Sequence, residues 1–116
     1  MSIAKRSVRE VAYHEKRHDK RNLSPTLVIS IDGKTYLTKD WSLGGVLLSQ
    51  YSGRRVQGQE IEGNVGVVTA PGRHPFKGVT VRRDATMGEL ALQFTELSDE
   101  TFALLEDASI GGLRQD

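Results

Sequence analysis

Two short polar clusters carry the residue types best suited to binding chemistry in this 116-residue chain. Arg17 and Arg21 place two guanidinium groups four residues apart. Each guanidinium is a planar fork that suits a phosphate or the O6/N7 edge of guanine. Asp40 and Ser42 follow on alternate residues, and a carboxylate accepts from the N1–H and N2–H donors on guanine's other edge. The residue types and their spacing therefore point to a site for an anionic ligand that carries guanine.

Each cluster also has an ordinary structural interpretation. Arg17 and Arg21 could form a solvated helix face supported by Glu15 and Asp19. Residues 40–45 could be a simple turn, because Asp, Ser and Gly are common turn formers. Neither interpretation accounts for both clusters in this order, so the ligand site is the favoured hypothesis.

The remaining chemistry-bearing residues suggest no catalytic or metal site. The chain has no cysteine, which excludes disulfides and thiolate metal ligands. His14, His18 and His74 lack metal-ligand spacing and are expected on the surface. No nucleophile–base arrangement is visible, so the sequence predicts neither an enzyme nor a bound cofactor.

Charge is balanced overall but divided between the two ends of the chain. The net charge is +1, which does not favour a bulk polyanion binder. Residues 1–22 hold seven Lys/Arg against three acids, and residues 96–116 hold six acids against one Arg. These ends can pair within one molecule or between two copies, which leaves a homodimer open, or they can be solvated separately. No apolar run approaches the length of a membrane span and no signal peptide is visible, so we expect a cytoplasmic protein.

The elements that must position these residues are mostly short strands. Residues 26–31 are rich in β-branched residues, which predicts a strand. Asp32-Gly33 is a type I′ hairpin signal, and residues 35–40 are predicted as the return strand. Further strands are predicted at 46–49, 60–68, 77–83 and 90–94, with a loop at 70–75. Six short strands favour an all-β-dominated fold, a six-stranded antiparallel barrel whose closure removes exposed edges.

The two ends of the chain complete the predicted single domain of residues 1–116. Residues 7–16 have a thin apolar stripe, typical of a weak helix or an arm, within a basic N-terminal arm at 1–25. The barrel occupies 26–97. A C-terminal α-helix follows at 98–110, with Ser98 as its N-cap and Gly111-Gly112 ending it.

The two clusters together resemble the PilZ domain family. Arg17 and Arg21 match its Arg-x-x-x-Arg motif, and Asp40, Ser42 and Gly45 match its Asp/Asn-x-Ser-x-x-Gly motif. The hairpin between the motifs and the helix after residues 94–97 also match the family layout. The resemblance covers about residues 15–105 and is fairly specific because both motifs occur in order.

The resemblance implies a bacterial receptor for cyclic diguanylate, with no catalysis and with a downstream protein partner. It implies that the five motif residues bind the dinucleotide, that the N-terminal arm closes over it, and that Gly45 lets it approach the backbone. Gly44 is an accessory candidate. In the family, the residue before the first arginine is linked to whether one ligand or a stacked pair is bound, and Lys16 here favours the pair.

Three positions qualify the resemblance. Trp41 stands where the family usually has an aliphatic residue, and strand alternation places it in the core rather than against a base. Ala91 stands where the family often has glycine. Arg82 and Arg83 are interpreted as solvated charge at a strand end.

Two other functions remain open. One is a PilZ-like protein-interaction module that binds no nucleotide. The other is a small β-barrel that binds single-stranded nucleic acid, which would be expected to offer stacking aromatics in a basic groove. The chain has seven aromatic residues by type, and Tyr13 alone accompanies the basic arm, so nucleic acid is the less favoured partner.

Overall fold

The computed structural model describes the backbone of residues 8–10 and 21–114 and the side chains of residues 21–110. Across these residues seven strands and one helix follow in chain order. They are β1 (Val8–Glu10), β2 (Leu27–Ile31), β3 (Lys34–Ser42), β4 (Gly45–Leu48), β5 (Glu60–Val67), β6 (His74–Asp84), β7 (Glu89–Ser98) and α1 (Asp99–Arg114). No helix in this part of the chain is long and apolar enough to cross a membrane.

Strands β2–β7 close into an antiparallel barrel. They pair in the order β7-β4-β3-β2-β5-β6, and pairing of β6 with β7 closes the ring. Asp32 and Gly33 join β2 to β3 with φ values of 54° and 79°, the positive values that a type I′ hairpin turn requires. The predicted six-stranded antiparallel barrel with a C-terminal helix is confirmed.

The barrel interior is filled by apolar side chains from alternate strand positions. Leu27 and Ile29 point inward from β2, and both are fully buried. Trp41 is also 0% exposed, which confirms its predicted place in the core. Its indole Nε1 donates to the carbonyl oxygen of Pro25 at 2.7 Å, so the polar atom of this large side chain is satisfied.

The N-terminal strand β1 corrects the expectation of a weak helix. Val8 lies opposite Ser98 and Glu10 opposite Glu96, antiparallel to β7. Because β4 pairs with β7 only from Leu90 to Gln93, the later part of β7 would otherwise present an open edge. The helical alternative is therefore wrong for residues 8–10; residues 7 and 11–16 lie outside the described part of the chain.

Several element boundaries also differ from prediction, and β7, predicted at 90–94, extends over Glu89–Ser98. The loop expected at 70–75 ends early, because His74 and Pro75 pair with Val65 and Asn64 of β5. Helix α1 continues through the glycine pair at 111–112 to residue 114 instead of ending at 110. Glycine costs about 1 kcal/mol in a helix interior relative to alanine, which weakens a helix without forbidding it.

The start of α1 is fixed to the barrel. The Thr101 amide donates to Ser98 Oγ at 3.0 Å, which confirms Ser98 as the N-cap. The Thr101 hydroxyl donates to the Pro75 carbonyl oxygen at 3.1 Å, and Leu105 is fully buried. The helix therefore packs against the β6–β7 side of the barrel.

Candidate ligand-binding site

A β-bulge in β3 decides which way the predicted site residues point. Tyr36 and Thr38 are buried, and strict alternation would direct Asp40 inward as well. The pairing of β3 with β4 instead shifts register between Thr38 and Asp40, and such an extra residue reverses the phase of the strand. Trp41 consequently fills the core, while Asp40 lies on the outer face.

Arg21 joins the two sequence clusters. Its Nε donates to Asp40 Oδ1 at 3.1 Å, and its Nη2 forms a second, short contact with the same oxygen. Its Nη1 donates to Ser42 Oγ at 3.0 Å. These bonds use three of the five N–H groups that a guanidinium carries, and the Arg21 side chain is 50% exposed. Contacts within the described residues thus orient Arg21 while leaving two donors for a ligand.

The backbone beside Arg21 is held by β3. Asn22 forms an isolated antiparallel bridge with Trp41. The Asn22 amide donates to the Trp41 carbonyl oxygen at 2.6 Å, and the Trp41 amide donates to the Asn22 carbonyl oxygen at 3.0 Å. The chain therefore enters the barrel at a fixed point, which places the Arg21 side chain over the end of β3.

Ser42 and Gly45 each have a structural role at the turn between β3 and β4. The Gly44 amide donates to Ser42 Oγ at 3.1 Å, so the serine hydroxyl supports both the turn and Arg21. A Cβ on Gly45 would lie 2.1 Å from the Leu92 carbonyl oxygen. The β4–β7 contact itself thus requires glycine at 45, whether or not a ligand approaches there.

A second charged group lies on the same side of the barrel, around Glu89. Glu89 is 8% exposed, and its Oε2 accepts from Lys39 Nζ at 2.9 Å. Its Oε1 lies 3.9 Å from Arg82 Nη1. The hydrogen bond to Glu89 and the charge of its carboxylate raise the pKa of Lys39. Lys39 therefore stays a cation at neutral pH, and Glu89 links the outer ends of β3, β6 and β7.

A cavity of about 250 Å³ lies beside these groups. Arg21 and Ser42 line one side and Arg82 lines another, with Gly45 and Ala91 among the small residues between them. Three larger cavities, of about 450, 520 and 680 Å³, contain none of the predicted site residues. The cavity of about 250 Å³ is the one that Arg21, Ser42, Gly44 and Gly45 line.

The structure brings most of the predicted site residues together. Arg21 contacts Asp40 and Ser42 directly, and Gly44 and Gly45 follow at the edge of the same cavity. Arg17 and the accessory candidate Lys16 lie outside the described residues. Arg82 was interpreted from the sequence as solvated charge. Its side chain is 55% exposed, but it also lines the cavity. No local sequence pattern connects Arg82 with residues 40–45. Within the described residues no three His, Cys, Asp or Glu side chains gather as a metal site.

Comparison with known proteins shows similarity in fold rather than in sequence. No protein-family model matches the chain, and no curated protein sequence matches it. Among solved structures the chain is similar to the Bacillus subtilis inhibitor of motility (MotI/DgrA), with a TM-score of 0.67 and 18% sequence identity. The match covers 87% of this chain and 53% of the other, so the chain spans about half the length of that structure. The similarity supports the barrel with its C-terminal helix as a fold already known.

Proposed function

We propose that this chain is a PilZ-type receptor domain that binds cyclic diguanylate and signals to a protein partner. The two motifs and the barrel with its C-terminal helix support this assignment. The observation that carries it is the contact of Arg21 with Asp40 and Ser42. Residues separated by about twenty positions in sequence meet on one outer face, in the combination that a ligand with phosphates and guanines needs.

The chemistry of the ligand fits this face. Cyclic diguanylate carries two phosphodiesters, which are both ionised near neutral pH, and two guanines. Arg21 offers its two remaining N–H donors to a phosphate or to O6/N7 of a guanine. Asp40, whose side chain is 24% exposed, accepts from N1–H and N2–H of the base. Ser42 Oγ is already bonded to Arg21 and to Gly44, so its part in the proposed site is to hold both in position.

Arg17 supplies the second guanidinium of the proposal. Four residues of chain span at most about 14 Å, so Arg17 is tethered within reach of the ligand that Arg21 binds. Lys16 adds charge next to it, which favours binding of a stacked pair of ligands. Closure of the arm at 1–25 over the dinucleotide would then connect ligand binding with a change in the surface that a partner sees.

The proposed output is regulation through a protein contact in the cytoplasm. The structurally similar protein is an inhibitor of motility by its title, which favours a regulatory rather than a catalytic role. The same observation supports a second candidate, a protein-interaction module that needs no nucleotide. Direct titration separates the two candidates.

The test is isothermal titration calorimetry of the whole chain with cyclic diguanylate. We expect saturable binding, with a stoichiometry near two ligands per chain if Lys16 favours a stacked pair. A linear guanine dinucleotide is the matched control ligand, because it carries the same bases without the ring, and we expect it to bind more weakly. No heat and no complex at millimolar cyclic diguanylate would contradict the receptor and favour the interaction module. Tight, salt-sensitive binding of single-stranded RNA or DNA instead would favour the nucleic-acid binder.

A further inference from the structure

The outer face beside Arg21 extends across four strands in two aligned rows. In one row Asp40 of β3 pairs with Leu47 of β4, Leu47 with Ala91 of β7, and Ala91 with Arg82 of β6. In the other row Ser42, Gly45, Gln93 and Val79 follow one another across the same strands. Since neighbouring strands lie about 4.8 Å apart, Asp40 and Arg82 stand about 14 Å apart along the sheet. We name these two rows the four-strand face.

The middle of the four-strand face is partly apolar and is low at two of its four positions. Gly45 and Ala91 contribute at most a methyl group, and Leu47 and Gln93 beside them are half-buried. The cavity of about 250 Å³ between Arg21 and Arg82 is also lined by half-buried Val81. A planar base can lie against such a floor, because it buries its faces on apolar atoms and leaves its edges to polar groups. The two arginines stand at opposite sides of that floor.

The Arg82 guanidinium lies near two carboxylates but forms no hydrogen bond with either of them. Its Nη1 lies 3.9 Å from Asp84 Oδ2 and 3.9 Å from Glu89 Oε1, distances too long for hydrogen bonds. Within the described residues no acceptor takes a hydrogen bond from it. The side chain is 55% exposed, so its N–H fork is open to a ligand on the face.

The charges around Arg82 select the kind of acceptor. Asp84 and Glu89 are two carboxylates on the same guanidinium, and Lys39 compensates only Glu89. A phosphate brought to Arg82 would meet Asp84 as a like charge. The neutral O6/N7 pair of guanine carries no such cost and matches the guanidinium fork in two parallel hydrogen bonds.

We propose that Arg82 reads the O6/N7 edge of the second guanine of cyclic diguanylate, at the side of the four-strand face remote from Arg21. This inference rests on the proposed function. Arg82 thereby makes the site selective for a dinucleotide with guanine at both positions, since adenine presents an N6 amino donor where guanine presents O6.

The test compares cyclic diguanylate with cyclic GMP–AMP by calorimetry on wild type and on Arg82→Ala, Arg82→Lys and Lys77→Ala. Lys77 is the matched control, because it is a cation on the same strand with 54% side-chain exposure and one weak ion pair at 3.7 Å. We expect Arg82→Ala to bind cyclic diguanylate roughly tenfold or more weakly, Arg82→Lys to behave like Arg82→Ala, and Lys77→Ala to behave like wild type. We also expect wild type to prefer the two-guanine ligand and Arg82→Ala to lose most of that preference.

Each outcome has a defined consequence. Wild-type affinity in Arg82→Ala, or a weaker Arg82→Ala that keeps the full preference for two guanines, overturns the base contact while leaving the proposed function intact. Full rescue by Arg82→Lys assigns the effect to charge alone and also overturns it. Failure of wild type to bind cyclic diguanylate overturns the proposed function and this inference together.

Discussion

Arg21 is held in place by protein groups before any ligand arrives. Its guanidinium donates to Asp40 and Ser42. In the proposed receptor, binding would therefore not have to order a long side chain, which would lower the entropic cost of association. The pair with Asp40 contributes little to folding, because Arg21 is 50% exposed and exposed ion pairs contribute about 0–1 kcal/mol. The arrangement therefore serves positioning more than stability.

Arg21→Lys tests the fork directly. A lysine keeps the charge but lacks the planar guanidinium, so it cannot bond Asp40 and Ser42 and also offer a parallel pair of N–H donors to the ligand. Charge-assisted hydrogen bonds contribute about 1.5–3 kcal/mol net, so we expect the affinity for cyclic diguanylate in calorimetry to fall about tenfold or more. The melting temperature should change little. Arg54→Lys is the control, because Arg54 is exposed between β4 and β5. Equal affinity of Arg21→Lys and wild type for cyclic diguanylate would show that the positive charge alone suffices for binding.

The candidate residues were predictable from type and spacing, and their roles were not. Arg21, Asp40 and Ser42 follow from the two motifs. The bond from the Gly44 amide to Ser42 Oγ is local and agrees with the turn that residues 40–45 suggested. The sequence gives no sign that Arg82 shares the cavity with Arg21, because that contact depends on which strands become neighbours.

At the element scale, strand register determines what the site contains. The bulge between Thr38 and Asp40 turns the carboxylate outward, and the close approach of β4 to β7 excludes a side chain at Gly45. Local patterns predicted the strands well because β-branched runs and turn residues act locally. The bulge and β1 could not be predicted in this way, since both depend on partners distant in sequence, as in the pairing of Val8 with Ser98.

Gly45→Ala separates packing from ligand contact. An added methyl group would meet the Leu92 carbonyl oxygen, a backbone atom that cannot rotate away. Forcing such a contact costs about 1–3 kcal/mol, so we expect the melting temperature of the ligand-free protein to fall by several degrees in a thermal scan. An unchanged melting temperature combined with lost binding of cyclic diguanylate would instead make Gly45 a ligand-approach residue only.

At the scale of the whole molecule, the N-terminal segment is tied to the barrel at two places. β1 pairs with β7, and Asn22 pairs with Trp41 of β3. Residues 11–20, which include Arg17, connect these two attachment points. A ligand bound between this connection and the four-strand face would touch the arm and the barrel together, so occupancy of the site and the position of the arm are coupled in the proposed mechanism.

The most direct test of this account is a ¹⁵N–¹H NMR titration of the chain with cyclic diguanylate. It reports both whether the ligand binds and which part of the barrel it touches. We predict the largest amide shifts at Arg21, Gly44, Gly45 and Gln93, with small shifts at Val28 and Gly66, which pair with each other on β2 and β5. An unchanged spectrum at millimolar ligand, or shifts centred on Val28 and Gly66, would contradict the account.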